Sequence, residues 1–139
     1  MNAELSVQLA QLLRQRSTAA LGTLREGAPF VSMVPYAIAP DGSGFVVHVS
    51  RLAAHTRDML ADARVSLLVA EAEGAGKSPL GLMRVSVQGL ARRVSVAHAL
   101  HALPDHACPR RAGDVGPDDD VLLSRLGWGV VAAPDALPR

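Results

Sequence analysis

The residues of this chain best equipped for chemistry stand together in Ser50-Arg-Leu-Ala-Ala-His-Thr-Arg-Asp-Met-Leu60. A serine, a histidine, a threonine and two arginines crowd the entry of a short amphipathic stretch. That set can hold a phosphate: hydroxyl donors, a cation, and the backbone N–H groups that a helix start leaves without intrahelical acceptors. Ser50 is expected to cap the helix, Thr56 adds a hydroxyl, and His55 or Arg57 adds charge. The plainer reading of the same residues is an ordinary capped helix with solvated polar side chains.

Other suggestive letters carry less. Gly74-Ala-Gly-Lys-Ser78 has the end of a phosphate-loop pattern, but Glu71 stands where its first glycine is needed and Pro79 follows where its helix should begin. It reads as a loop. His98, His101, His106 and Cys108 are metal-ligand types. His98 and His101 can share a helix face, yet no second paired motif completes a site, so a solvated face is the better reading and no metal is expected. Asp118-Asp-Asp120 lacks the spaced ligands and glycine of a calcium loop. No Gly-x-Ser-x-Gly elbow supports a hydrolase.

The elements that must position these residues follow from periodicity. Leu5, Leu9, Leu12 and Leu13 fall at helical spacing, which predicts an amphipathic helix ending near Arg16. Strands are expected over 18–24, 30–38, 45–50, 64–71 and 83–94, with a hairpin turn over 25–29 and a turn over 39–44. Pro35 inside the second strand marks an edge or bulge. The fifth strand alternates Val85, Val87 and Gly89 with Arg84, Ser86 and Gln88. Residues 96–103 read as helical. The texture then changes: residues 104–139 hold five of the nine prolines. This predicts one domain over 1–103 and a tail of different texture over 104–139, loop plus a short helix from about Asp119 to Leu126. Strands joined by short helices predict a mainly β (α+β) chain, an antiparallel barrel or sheet.

Bulk properties narrow the partners. The 139 residues are enough for one domain, and 49% hydrophobic content is enough for its core. With 3% aromatics, stacking platforms for single-stranded nucleic acid are scarce. A net charge of +1 recruits neither nucleic acid nor a membrane surface. Cys108 is the single cysteine, which rules out an intrachain disulfide and fits a cytoplasmic setting. The start Met1-Asn-Ala-Glu-Leu-Ser-Val reads as no signal peptide, and no apolar run is long enough to span a bilayer.

Five pieces in order then resemble one family. They are Leu13-Arg-Gln-Arg-Ser-Thr-Ala-Ala-Leu-Gly-Thr-Leu24, Gly27-Ala-Pro-Phe-Val-Ser-Met-Val-Pro-Tyr-Ala37, Ser50 to Leu60, Arg64-Val-Ser-Leu-Leu-Val69, and Arg84-Val-Ser-Val-Gln-Gly-Leu-Ala91. Across residues 12–96 the chain resembles the pyridoxamine 5′-phosphate oxidase-related FMN-binding split barrels, in particular their heme-utilisation (HugZ-type) branch. The tail from Pro104 to Arg139 departs from that pattern. The resemblance implies a six-stranded antiparallel split β-barrel with short flanking helices. It implies a homodimer holding FMN at its interface, and a flavin-dependent oxidoreductase. It implies cofactor contacts at Ser32, Met33, Val34 and Tyr36, at Val49, Ser50, Leu52, His55 and Thr56, and at Arg84 with Gln88 nearby. Tyr36 and Arg84 have plain alternatives, barrel-end packing and a solvent face. Two other functions stay open: a heme-binding or heme-degrading protein, and a non-catalytic flavin or small-ligand dimer. No spacing names a catalytic residue or a substrate.

Overall fold

Apolar residues one turn apart give helix α1 (Ala3–Gln15) a single stripe, and Leu9, Leu12 and Leu13 are the residues it buries. The computed structural model describes residues 3–38, 44–94 and 119–128. Alternation then sets the strands. Strand β1 (Thr18–Arg25) turns Ala19, Leu21 and Thr23 inward. It returns as β2 (Ala28–Ile38) through a two-residue turn, Glu26 at φ 51° and Gly27 at φ 81°. Two consecutive left-handed residues make the tight hairpin whose twist matches its strands, and glycine takes the second place without strain. Strand β3 (Gly44–Ser50), helix α2 (Ala54–Ala61), strand β4 (Arg64–Ala70), a short 3₁₀ turn (Pro79–Gly81) and strand β5 (Arg84–Val94) follow.

The tail corrects the sequence expectation. The short helix expected from Asp119 to Leu126 is a strand, β6 (Asp119–Trp128). It runs antiparallel to β3, with Ser50 opposite Asp119, and antiparallel to β5, with Leu90 opposite Arg125. Without it β3 and β5 would each present a row of unmatched backbone groups, and one strand between them satisfies both. That long-range pairing outweighs the local preference of aspartates for a helix start. The strand order closes as β1-β2-β3-β6-β5-β4, with β4 against β1. The helix expected over 96–103, and His98, His101, His106, Cys108 and Asp118, lie outside the described residues.

Inside the barrel, Leu21, Val34, Phe45, Leu67, Val69, Val85 and Val87 are each almost fully buried. The Tyr36 and Phe45 rings meet at 5.6 Å between centroids. The Tyr36 hydroxyl donates to the Leu13 carbonyl at 2.8 Å and ties α1 to β2. Burial pushes the Tyr36 phenol up to about 12. Tyr36→Phe should therefore cost about 1 kcal/mol, read as a lower urea midpoint with an unchanged slope.

Candidate functional site

Strand β2 pairs with β1 from Ala28 to Pro35, but meets β3 only over Tyr36–Ile38. Among the described residues, the first part of β2 thus has a strand on one edge and none on the other. The Tyr36 N–H donates to the Ser17 carbonyl at 3.0 Å, so even-numbered residues of β2 aim their backbone groups at β1 and odd-numbered ones aim them at the opening. Those odd positions are Pro29, Val31, Met33 and Pro35. Two prolines leave no N–H to strand there. Val31 and Met33 keep theirs, and their side chains are exposed.

The chain leaves β3 at this opening and turns into α2. The N-cap of α2 is Ala53, at φ −67° and ψ 144°, with no side-chain cap bond. The expectation that Ser50 caps the helix is therefore corrected, because helical geometry begins three residues too late for its hydroxyl to reach. Ser50 instead organises the turn. Its carbonyl accepts the Ala53 N–H at 3.0 Å, and its Oγ accepts the Leu52 N–H at 3.2 Å. The Thr56 hydroxyl, fully buried, donates to the Ser50 carbonyl at 2.6 Å. Its proton is committed to the turn rather than presented to a ligand. Ala53 has no side-chain oxygen to offer the Ala54 and His55 N–H groups, the first two of α2, which suits them to an external anion, while its carbonyl accepts the Thr56 N–H at 3.2 Å.

His55 spans the opening. Its Nδ1 lies 3.1 Å from the Ser32 Oγ of β2, which fixes the plane of the half-buried ring. Burial lowers the His55 pKa, and nearby Asp58 opposes that shift. A neutral imidazole at neutral pH follows, one that an approaching phosphate would draw back toward the charged form.

One turn along, a feature that sequence reasoning missed ties α2 to β1. Buried Asp58 accepts from Arg25 Nε and Nη2, both at 3.1 Å, and from the Thr23 hydroxyl at 3.0 Å. The Arg25 bonds are the main reason the Asp58 carboxyl titrates below its ordinary range. Arg25 also lies over the Phe30 ring, 3.7 Å from its centroid. The available signal was phase: Thr23 and Arg25 continue the inward series Ala19, Leu21, where a polar residue needs a buried partner.

The remaining sequence candidates separate into two places. Val34, Tyr36 and Val49 are core residues, and the Tyr36 hydroxyl is already engaged. Met33 and Leu52 are exposed at 76% and 73%, the most exposed large apolar residues described. Because Val85 and Val87 face inward, Arg84 and Gln88 lie on the outer face of β5, opposite Ala70 and Ser66. Ser66 is in turn opposite Gly22, and Gly22 opposite Val31. One chain thus gathers Ser32, Ser50, His55 and Thr56 at α2, and leaves Arg84 and Gln88 on the outer sheet face with Val31 and Met33. Among the described residues no group of three or more His, Cys, Asp or Glu could share a metal ion.

The donor set at α2 fits a phosphate monoester: the Ser50 hydroxyl proton, the first-turn N–H groups and an oriented imidazole. Comparison with known proteins bears on what carries it. Residues 5–125 match the model of the family described as pyridoxamine 5′-phosphate oxidase. Comparison with curated proteins gave no match. Among solved structures, the heme storage protein HutZ from Vibrio cholerae is similar at 20% identity and a TM-score of 0.73, over 92% of this chain and 94% of that one. A heme binding protein from Mycobacterium smegmatis is similar at 29% identity and a TM-score of 0.69, over 84% of this chain and 49% of that one. An FAD-binding protein from Mesorhizobium loti is similar at 20% identity and a TM-score of 0.65, over 92% of this chain and 91% of that one.

Proposed function

Since the chain belongs to the pyridoxamine 5′-phosphate oxidase family, we propose that it is an FMN-binding six-stranded split barrel, acting as a flavin-dependent oxidoreductase and working as a homodimer with the flavin at the interface. The observation that carries this reading is the meeting of Ser32, His55 and the start of α2 at the opening between β2 and β3. Bound there, the flavin would supply the redox chemistry, taking electrons from a donor and passing them to an acceptor. The residues of the chain do the rest. Ser50, His55 and the first N–H groups of α2 bind the phosphate. The Val31 and Met33 backbone edge offers donors and acceptors to a flat heterocycle. Ser32 and Thr56 hold the ring and the turn in place.

The outer sheet face supports the dimer. Val31, Met33, Leu68 and Leu90 are exposed there between small residues such as Gly22 and Ser66, an apolar surface that a second copy can cover. Since one chain keeps Arg84 and Gln88 away from its own His55, a second copy would bring these two to the flavin. No described helix is long and apolar enough to cross a membrane. A cytoplasmic setting is part of the proposal and rests on the single cysteine, Cys108.

The heme reading has its own support, the Mycobacterium smegmatis relative together with the oriented imidazole of His55. One experiment separates the readings. Purified protein is passed over a sizing column and its absorption spectrum recorded before and after addition of FMN, and separately of heme. Flavin bands travelling with a dimer, bleached by a nicotinamide donor, are expected. Flavin bands that no donor bleaches would leave a flavin carrier. A Soret band without flavin uptake would favour heme, and a protein that ignores FMN would sink the flavin reading.

A further inference from the structure

Helix α2 has only eight residues, too few to hold its shape or direction unaided, and buries only Thr56, Asp58 and Met59. Its orientation is imposed by what its side chains grip. Two grips lead to the same hairpin. His55 reaches Ser32 on β2, while Asp58 reaches Thr23 and Arg25 on β1. Leu21 is opposite Ser32 and Thr23 is opposite Phe30, so both attachments lie within one short stretch of the β1–β2 ladder. His55 and Asp58 are three residues apart and so share a helix face. Both oxygens of the Asp58 carboxylate are engaged, Oδ1 by Arg25 and Oδ2 by Arg25 and Thr23, which fixes the helix in roll as well as in position.

We infer that Asp58, held by Arg25 and Thr23, is a positioning residue that sets the presentation of His55 and the start of α2 to the phosphate of FMN, an inference that rests on the function proposed above. Its role is to keep the imidazole and the first N–H groups of α2 converged on one point. Arg25, clamped between this carboxylate and the Phe30 ring, is the rigid part of the device. Asp58 acts on the imidazole through space as well: it favours the charged ring, while Arg25 on β1 and Arg57 on α2 offset its charge.

The test compares FMN with riboflavin, which lacks the phosphate. Dissociation constants for both are measured by fluorescence on wild type, Asp58→Asn and Thr23→Val, and His55 is titrated by NMR. In Asp58→Asn, FMN should bind about tenfold more weakly while riboflavin stays within about twofold of wild type. The His55 pKa should move down, because the carboxylate no longer supports the imidazolium. Thr23→Val drops one bond and keeps the ion pair, so FMN should weaken by about threefold. That variant carries the test if Asp58→Asn does not fold. A folded variant with the wild-type preference for FMN over riboflavin would overturn the inference, and so would an equal loss of both ligands, the mark of a purely structural staple. Wild type that binds neither flavin would instead overturn the FMN reading and this inference with it.

Discussion

Phe45→Ala should destabilise the protein by about 3–5 kcal/mol, a large part of the roughly 5–15 kcal/mol that holds a domain together. Phe45 is 1% exposed and is the largest of the fully buried side chains. It stands in a run of β3, Gly44 to Val47, in which every residue is buried, so surrounding atoms cannot easily close on the space the ring leaves. Its ring also braces Tyr36, whose hydroxyl anchors α1. Urea unfolding followed by circular dichroism measures the effect. A loss below about 1 kcal/mol would show that the ring does not fill a tightly packed core.

His55→Ala should weaken FMN binding by about tenfold to a hundredfold and leave riboflavin nearly untouched, the range expected for losing one hydrogen bond to a charged group. The fold should hold, because the ring is only half buried and bonds one neighbour, Ser32. The pH dependence gives a second signature. Burial holds the free imidazole below its ordinary pKa, and a bound phosphate raises it, so binding takes up a proton. Wild-type affinity for FMN should therefore fall as pH rises from about 6.5 to 8, above the second phosphate ionisation near 6. His55→Ala should flatten that slope. Titrations by flavin fluorescence at several pH values read both effects, and an unchanged slope would remove His55 from the phosphate site.

Much of the candidate site was legible because it lies in one short segment. Ser50, His55 and Thr56 are neighbours along the chain, and their residue types suit an anion or an ordinary capped helix alike, so it is the family resemblance that favours the anion. Their separate duties were not legible. Ser50 and Thr56 differ from His55 only in where the backbone turns helical, at Ala53, and that depends on how β3 leaves the barrel. Arg84 and Gln88 were assigned to the site from resemblance, and their placement on the outer face follows from the inward phase of Val85 and Val87. Asp58 escaped notice because its partners, Arg25 and Thr23, are 33 and 35 residues away.

By itself the sequence determined α1, the β1–β2 hairpin and the strands through β5. Each rests on periodicity or turn chemistry between residues a few positions apart, which the chain carries locally. Only the tertiary structure decided three things: that 119–128 is a strand, that Ser50 precedes the helix rather than capping it, and that Asp58 joins α2 to β1. Each depends on a match between distant segments. The open edges of β3 and β5 need a strand whatever its aspartates prefer, and a buried carboxylate needs whichever cation the sheet register places beside it.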